Sequence, residues 1–271
     1  MTRVAAIAIN TFRELVRDKV LYVILFFACA LILSAWAIGQ LSLHEDIRVT
    51  RDLGLGGISL FGVILAIFAG VTLVYKEIER KTLYAFIPKP IHRWQFVVGK
   101  FLGLVLTLGV QMGAMAVVLW IALVVQGSNL DGEMARALLL LHVQVVAITA
   151  VAVFFSTFST PFLSGLFTLG IFVIGRSTPE LRAFIASKFK DDPGMGRVLE
   201  AAMSILPDLH LFYVSGAMVH GKAVSVNPTP PHTYAEYVDW AYVASATGYG
   251  ALYAGCVLAL AVLVFSRRDF V

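Results

Sequence analysis

KEIERKTLYAFIPKPIHRWQFVVGKFLG, residues 76–103, is a polar and basic stretch set between two long apolar runs, and its reading decides the fold. It carries Lys76, Arg80, Lys81, Lys89, Arg93 and Lys100 against Glu77 and Glu79, a local charge of +4 that equals the formal net charge of the whole chain. The remaining residues therefore sum to zero. Lys and Arg collected beside apolar runs mark the cytoplasmic side of a membrane protein. The stretch reads as a docking surface rather than a chemical site.

Composition points the same way. The 271 residues are 59% hydrophobic and only 14% charged, against roughly 25% charged residues in an ordinary soluble domain. The excess charge flanks apolar runs, so it marks membrane orientation better than a phosphate-binding patch, and no nucleic-acid partner is expected. Cys29 and Cys256 both fall inside apolar runs, which argues against a structural disulfide or a metal site.

Residues 1–19 place Val4, Ala5, Ala8, Phe12, Leu15 and Val16 at helical spacing, with Arg3, Arg13, Glu14 and Arg17 mostly on other faces. This predicts an amphipathic helix lying in the membrane interface. A cleaved signal peptide is the rival, because Ala35-Trp36-Ala37 imitates a cleavage site. The acidic Glu14 and Asp18 and the length of the following run oppose it.

Six apolar runs follow, at residues 20–41, 53–75, 101–126, 137–158, 161–175 and 240–265. Five meet the roughly 20-residue requirement for crossing hydrocarbon. The run at 161–175 is short, but it follows a Ser159-Thr160-Pro161 break suited to a tight turn between two spans. The expected fold class is thus an all-α polytopic membrane protein with six transmembrane helices and an N-terminal interfacial helix. With the N-terminus inside, the cytoplasmic parts hold twelve Lys/Arg and the short outer loops only Arg48, Arg51 and Arg136. The expectation is a multi-pass protein of a cytoplasmic (inner) membrane with both termini cytoplasmic.

Residues 176–239 form the long segment between the last two spans. Thr178-Pro179-Glu180 reads as a helix start. Pro193-Gly194 breaks the chain, and residues 197–206 predict a second short helix stopped by Pro207. Residues 209–218 are apolar but too short to span, which suits re-entry into the outer leaflet or a cover over a cavity mouth.

Candidate chemistry is sparse. Residues 216–223, GAMVHGKA, come close to a phosphate-binding loop, yet Ala223 offers no hydroxyl for magnesium and no strand precedes it. No ATP site is expected on this chain. The six His residues show no i, i+4 pair, and His44-Glu45-Asp46 reads as a solvated loop tip. His142 is the ionisable residue well inside a run; with Gln111 and Gln144 it is a candidate for a pathway or gate, against a plain interhelical hydrogen-bonding role. No Asp, Glu, Lys or Arg falls inside the runs as drawn, so neither a proton relay nor an acid–base pair has obvious residues, and no catalytic residue is expected. Gly99-x-x-x-Gly103 and Gly109-x-x-x-Gly113 permit close helix packing without naming a partner.

The stretch Glu77-x-Glu79-Arg80-Lys81-Thr82-Leu83, then Pro88-x-Pro90-Ile91-x-Arg93, then Gly99-Lys100-Phe101-x-Gly103, resembles the first cytoplasmic loop of permeases of the type-2 ATP-binding-cassette (ABC) transporter family. The N-terminal basic helix, with Arg13, Glu14 and Arg17, is similar to that family's elbow helix. Phe155-Ser156-x-Phe158-Ser159 resembles its fourth-to-fifth turn, Leu206-Pro207-x-Leu209 its outer segment, and Phe265-Ser266-Arg267-Arg268-Asp269-Phe270 its ending. One departure is Lys81, where many relatives have Gly. The resemblance implies a permease pathway formed with a second copy or a paralogue, in contact with membrane lipid, and cytosolic ABC ATPase subunits that hold the ATP and Mg this chain does not. It also implies that the loop of residues 76–100 docks on the ATPase through Glu77, Glu79, Arg80, Lys81, Thr82, Pro88, Pro90, Arg93 and Lys100. Pro88 and Pro90 would end a helix begun near Lys76 and leave a rigid corner. Two readings stay open: a permease of an ATP-driven exporter, or an ATP-independent channel or membrane scaffold in a larger complex.

Overall fold

A computed structural model of the chain describes residues 3–40, 46–79, 92–128, 132–189, 193–213 and 239–267. The described residues are helical with no strand: α1 (Arg3–Leu15), α2 (Lys19–Gln40), α3 (Asp46–Glu79), α4 (Arg93–Val125), α5 (Gly132–Ser156), α6 (Pro161–Arg176), α7 (Thr178–Lys188), α8 (Pro193–Ile205), a 3-10 turn (Leu209–Phe212) and α9 (Trp240–Arg267). Five of these, α2, α3, α4, α5 and α9, contain a stretch long and apolar enough to cross a membrane, and α6 with α7 forms a further pair bent by 69°. The chain is an all-α polytopic membrane protein.

The helices begin and end where local chemistry directs. Asp18 opens α2 by accepting the Val20 N–H at 3.0 Å, satisfying one of the donors that a helix start leaves open. Pro161 opens α6 behind an extended Thr160, and Pro179 sits in the first turn of α7, where a missing N–H does no harm. Pro193 itself opens α8, four residues ahead of the expected start, for the same reason. Nothing breaks the chain between residues 53 and 79, so α3 continues through Lys76 to Glu79 and no new helix begins there.

α3 and α5 form the centre of the bundle. α2 and α6 pack on α3, α9 on α5, and α4 touches both. Small residues allow the crossing: a Cβ on Gly70 would stand 2.8 Å from Ala152 Cβ, and one on Gly62 2.9 Å from Val145 Cγ2. Ile58, Leu65 and Ala66 of α3 and Leu140, Val145, Ile148 and Val153 of α5 are fully enclosed. The outside is equally apolar, with Phe26 68% exposed on α2, Phe162 78% on α6 and Leu252 73% on α9. Such a belt in water would aggregate, so its solvent is hydrocarbon.

Two polar departures lie within this frame. α3 starts at Asp46 and α4 at Arg93, so Arg51, Asp52 and Lys100 belong to spanning helices although they lie outside the apolar runs. The segment after α8 turns inward: Leu209 and Phe212 are fully buried against α5, α6 and α7, and Tyr242 of α9 donates to the Leu211 carbonyl at 2.7 Å. Of the apolar residues 209–218, Leu209–Phe212 form this inward-packed turn, and residues 214–218 lie outside the described residues.

Candidate coupling site at the foot of the bundle

One end of the bundle, here the foot, is where α3 ends and α4 begins. Glu77 and Glu79 lie in the last turns of α3, and α4 resumes at Arg93. Arg80, Lys81, Thr82, Pro88 and Pro90 lie outside the described residues, as do His44-Glu45, residues 216–223 and residues 268–270. α4 begins with the Gln95 side chain reaching back to accept the His92 N–H at 3.4 Å, half of the reciprocal bonding that defines a capped helix start.

Two members of the expected docking set, the buried Lys100 and the exposed Arg93, make contacts within the chain. Lys100 is buried, its side chain 5% exposed, and its Nζ stands 3.4 Å from Glu14 Oε2 of α1 and 5.7 Å from the centre of the Phe96 ring. Arg93 sends Nη1 to the carbonyl oxygens of Ser266 at 2.8 Å and Phe265 at 3.4 Å. These carbonyls belong to the last turn of α9, where the helix has no N–H of its own to offer and a cation is favoured by the helix dipole. Phe96 stacks on Phe265 with centroids 6.0 Å apart and planes 14° apart. Arg93 and Phe96 thus hold α9, and Lys100 holds α1.

The elbow helix lies along α4, and the first glycine pair explains how it fits. A Cβ on Gly99 would stand 2.8 Å from Ile7 Cβ, and one on Gly103 2.7 Å from the Ala8 carbonyl oxygen. The buried residues of α1, Ala8, Thr11 and Leu15, form the facing stripe. Arg13 and Arg17 point outward, and Glu14 is half exposed. The partner that Gly99-x-x-x-Gly103 left unnamed is α1. The second pair divides: a Cβ on Gly109 would meet His142 Cε1 at 3.3 Å, while Gly113 faces open space.

Deeper in the bundle, Gln144 is fully buried on α5 and donates from Nε2 to Ser59 Oγ of α3 at 3.3 Å. Its Oε1 and the Oε1 of Gln111 are buried without a hydrogen-bond partner. His142 packs at the α4–α5 contact and bonds to neither glutamine. The three candidates lie on two neighbouring helices, and no hydrogen bond joins one to another.

What this arrangement can do chemically is mechanical. α3 runs from the foot to the centre of the bundle, and the start of α4 is fastened to both α1 and α9. The class defined is a multi-pass membrane protein whose helices are tied together at one end. The family match is direct: the model described as ABC-2 family transporter protein matches residues 5–270. The chain belongs to that family, and it is therefore a membrane permease component of an ABC transporter, a kind of subunit associated with ABC ATPase partners and generally not itself catalytic. A search of curated proteins found no match.

Proposed function

We propose that this chain is the permease subunit of an ATP-driven ABC exporter in a cytoplasmic membrane, with the foot of the bundle and both ends of the chain on the cytosolic side. Two permeases, identical or paralogous, line the pathway, and separate ATPase subunits bind ATP and Mg. The residues from Glu77 to Arg93 form the docking surface. Glu77, Glu79, Arg80, Lys81 and Thr82 face the ATPase and Pro88 and Pro90 stiffen the corner, while Arg93 and Lys100 anchor its exit to α9 and α1.

The observation that carries this reading is the bracing of α4 at its start. Arg93 bonds the end of α9 and Lys100 bonds α1 within two turns of each other, so displacement of the docking stretch moves three helices as one body. Rigid-body movement of this kind is a recurrent way of passing a change between sites. The test is the double substitution Glu77→Ala/Glu79→Ala in the assembled transporter. Membrane insertion should persist while ATPase binding, or substrate-stimulated ATP hydrolysis, falls at least several-fold. Unchanged assembly and stimulation would remove the docking role, and a stable native complex lacking any ATPase would favour a channel or scaffold.

A further inference from the structure

The bend between α6 and α7 gathers polar groups that coupling does not use. α6 has 16 residues, about 24 Å of helix, which is short of the roughly 30 Å hydrocarbon thickness. Its last residue, Arg176, stands at the bend. The inward segment reaches the same level. The Pro207 carbonyl closes on Gly175, and Phe212 meets Gly250, which lies about 15 Å along α9 from Trp240. Arg176, Arg182 of α7, Asp208 and Tyr213 thus collect around the bend.

Their bonding is incomplete. The Arg176 guanidinium lies over the Tyr213 ring, 3.4 Å from the centroid, and its Nη1 is buried with no hydrogen-bond partner. Asp208 is fixed by its own N–H, donated to the Tyr249 hydroxyl at 3.0 Å. One carboxylate oxygen of Asp208 stands 3.9 Å from Arg182, beyond hydrogen-bond reach, and the other, Oδ1, is buried and unpartnered. The place lacks one acceptor at Arg176 and one donor at Asp208. A guanidinium does not lose its proton, and a buried charged group is ordinarily paired or hydrogen-bonded. Exposed Phe167, Leu169, Val173 and Ile174 continue down α6 from the bend. Glu180, exposed in the first turn of α7, balances the local charge with Asp208 and disfavours a polyanion.

We propose that the α6–α7 bend binds the head group of a bilayer lipid in the leaflet opposite the foot, one that combines an anionic oxygen with a hydrogen-bond donor. The oxygen accepts from Arg176 Nη1, the donor gives to Asp208 Oδ1, and the acyl chain lies along α6. A phosphoethanolamine head group has both parts. A phosphocholine head group has the oxygen and no donor, and diacylglycerol has no anionic oxygen. The proposal is independent of ATP coupling and its test needs no ATPase.

The test is lipid retention by the purified full chain in native mass spectrometry, with phosphatidylethanolamine, phosphatidylcholine and diacylglycerol of matched chains and glycerophosphoethanolamine as a soluble competitor. Wild type should hold phosphatidylethanolamine several-fold better than phosphatidylcholine and at least about tenfold better than diacylglycerol, as hydrogen bonds to charged groups allow. Arg176→Gln should abolish the preference for phosphate. Asp208→Asn should erase the difference between ethanolamine and choline and keep the preference over diacylglycerol. Equal retention of the three lipids by wild type, or unchanged preferences in the variants, overturns the site. Displacement by the soluble head group at the lipid's own concentration overturns the lipid and leaves a site for a free phosphate ester. Should Arg176→Gln fail to insert, Asp208→Asn decides alone.

Discussion

Replacing Glu14 by Gln should release α1 from α4 while leaving the rest of the bundle folded. The Glu14–Lys100 pair is lopsided, with side chains 46% and 5% exposed at 3.4 Å separation. Coulomb attraction at that distance is about 5 kcal/mol at the effective dielectric of a protein surface and about 1 kcal/mol in water. Solvent around Glu14 pulls the value toward the lower figure, since exposed pairs contribute about 1 kcal/mol or less. Removal of the carboxylate from a buried cation pulls the other way. A loss of about 1–2 kcal/mol follows, a factor of roughly 5–30 in the open population of α1. Hydrogen exchange of the α1 amides reads this directly, because helices open locally with their own free energies. Protection of α1 should fall 5–30-fold at low salt, and by less in 1 M salt, where screening acts within about 3 Å. Protection in α1 changed by less than twofold would refute the pairing, and an equal loss in α3 and α5 would refute its local character.

Gly103→Ala sets a methyl against the Ala8 carbonyl and Thr11; overpacking of about 1–3 kcal/mol should separate α1 from α4, seen as loss of disulfide crosslinking between cysteines placed at Ile7 and Leu102. Arg93→Ala removes donors from the last carbonyls of α9 and should raise hydrogen exchange in its final turn about tenfold, from roughly 1–2 kcal/mol of charge-assisted bonding, with Arg93→Lys recovering part of it. For topology, cysteine labelling at Asn227 should occur from outside and at Lys89 only from inside; the reverse pattern would invert the proposed orientation.

The fold was legible because hydropathy leaves few choices. Residues 20–41 and 240–265 match α2 and α9 to within two residues, since lipid must satisfy neither charge nor open backbone groups there. Punctuation was legible too: the Ser-Thr-Pro break, Thr178-Pro179 and Pro193 each stand at a helix boundary. The polar ends of α3 and α4 were not, because a helix continues into the interface wherever its backbone is unbroken and the hydropathy pattern stops earlier. The candidate site was half legible. Glycines four apart announced a close contact, but the identity of α1 as the partner depends on Lys100 and Glu14, 86 positions apart in the sequence. The resemblance put Arg93 in the docking set, and nothing local says that Phe265 and Ser266 lie beside it. Arg176 and Asp208 fell outside every apolar run, and only the inward turn at Leu209–Phe212 brings Asp208 beside the end of α6.

The first and last described helices are both fastened to the same short length of α4, α1 through Lys100 and the glycine pair, α9 through Arg93 and Phe96. The start of α4 therefore works as a hub to which distant parts of the chain report. Donor and acceptor fluorophores on Arg13, which faces outward on α1, and Arg267 at the end of α9 would straddle that hub without touching it. A change in transfer efficiency on nucleotide addition would measure relative movement of the two arms, and constant efficiency during transport would show that they travel together.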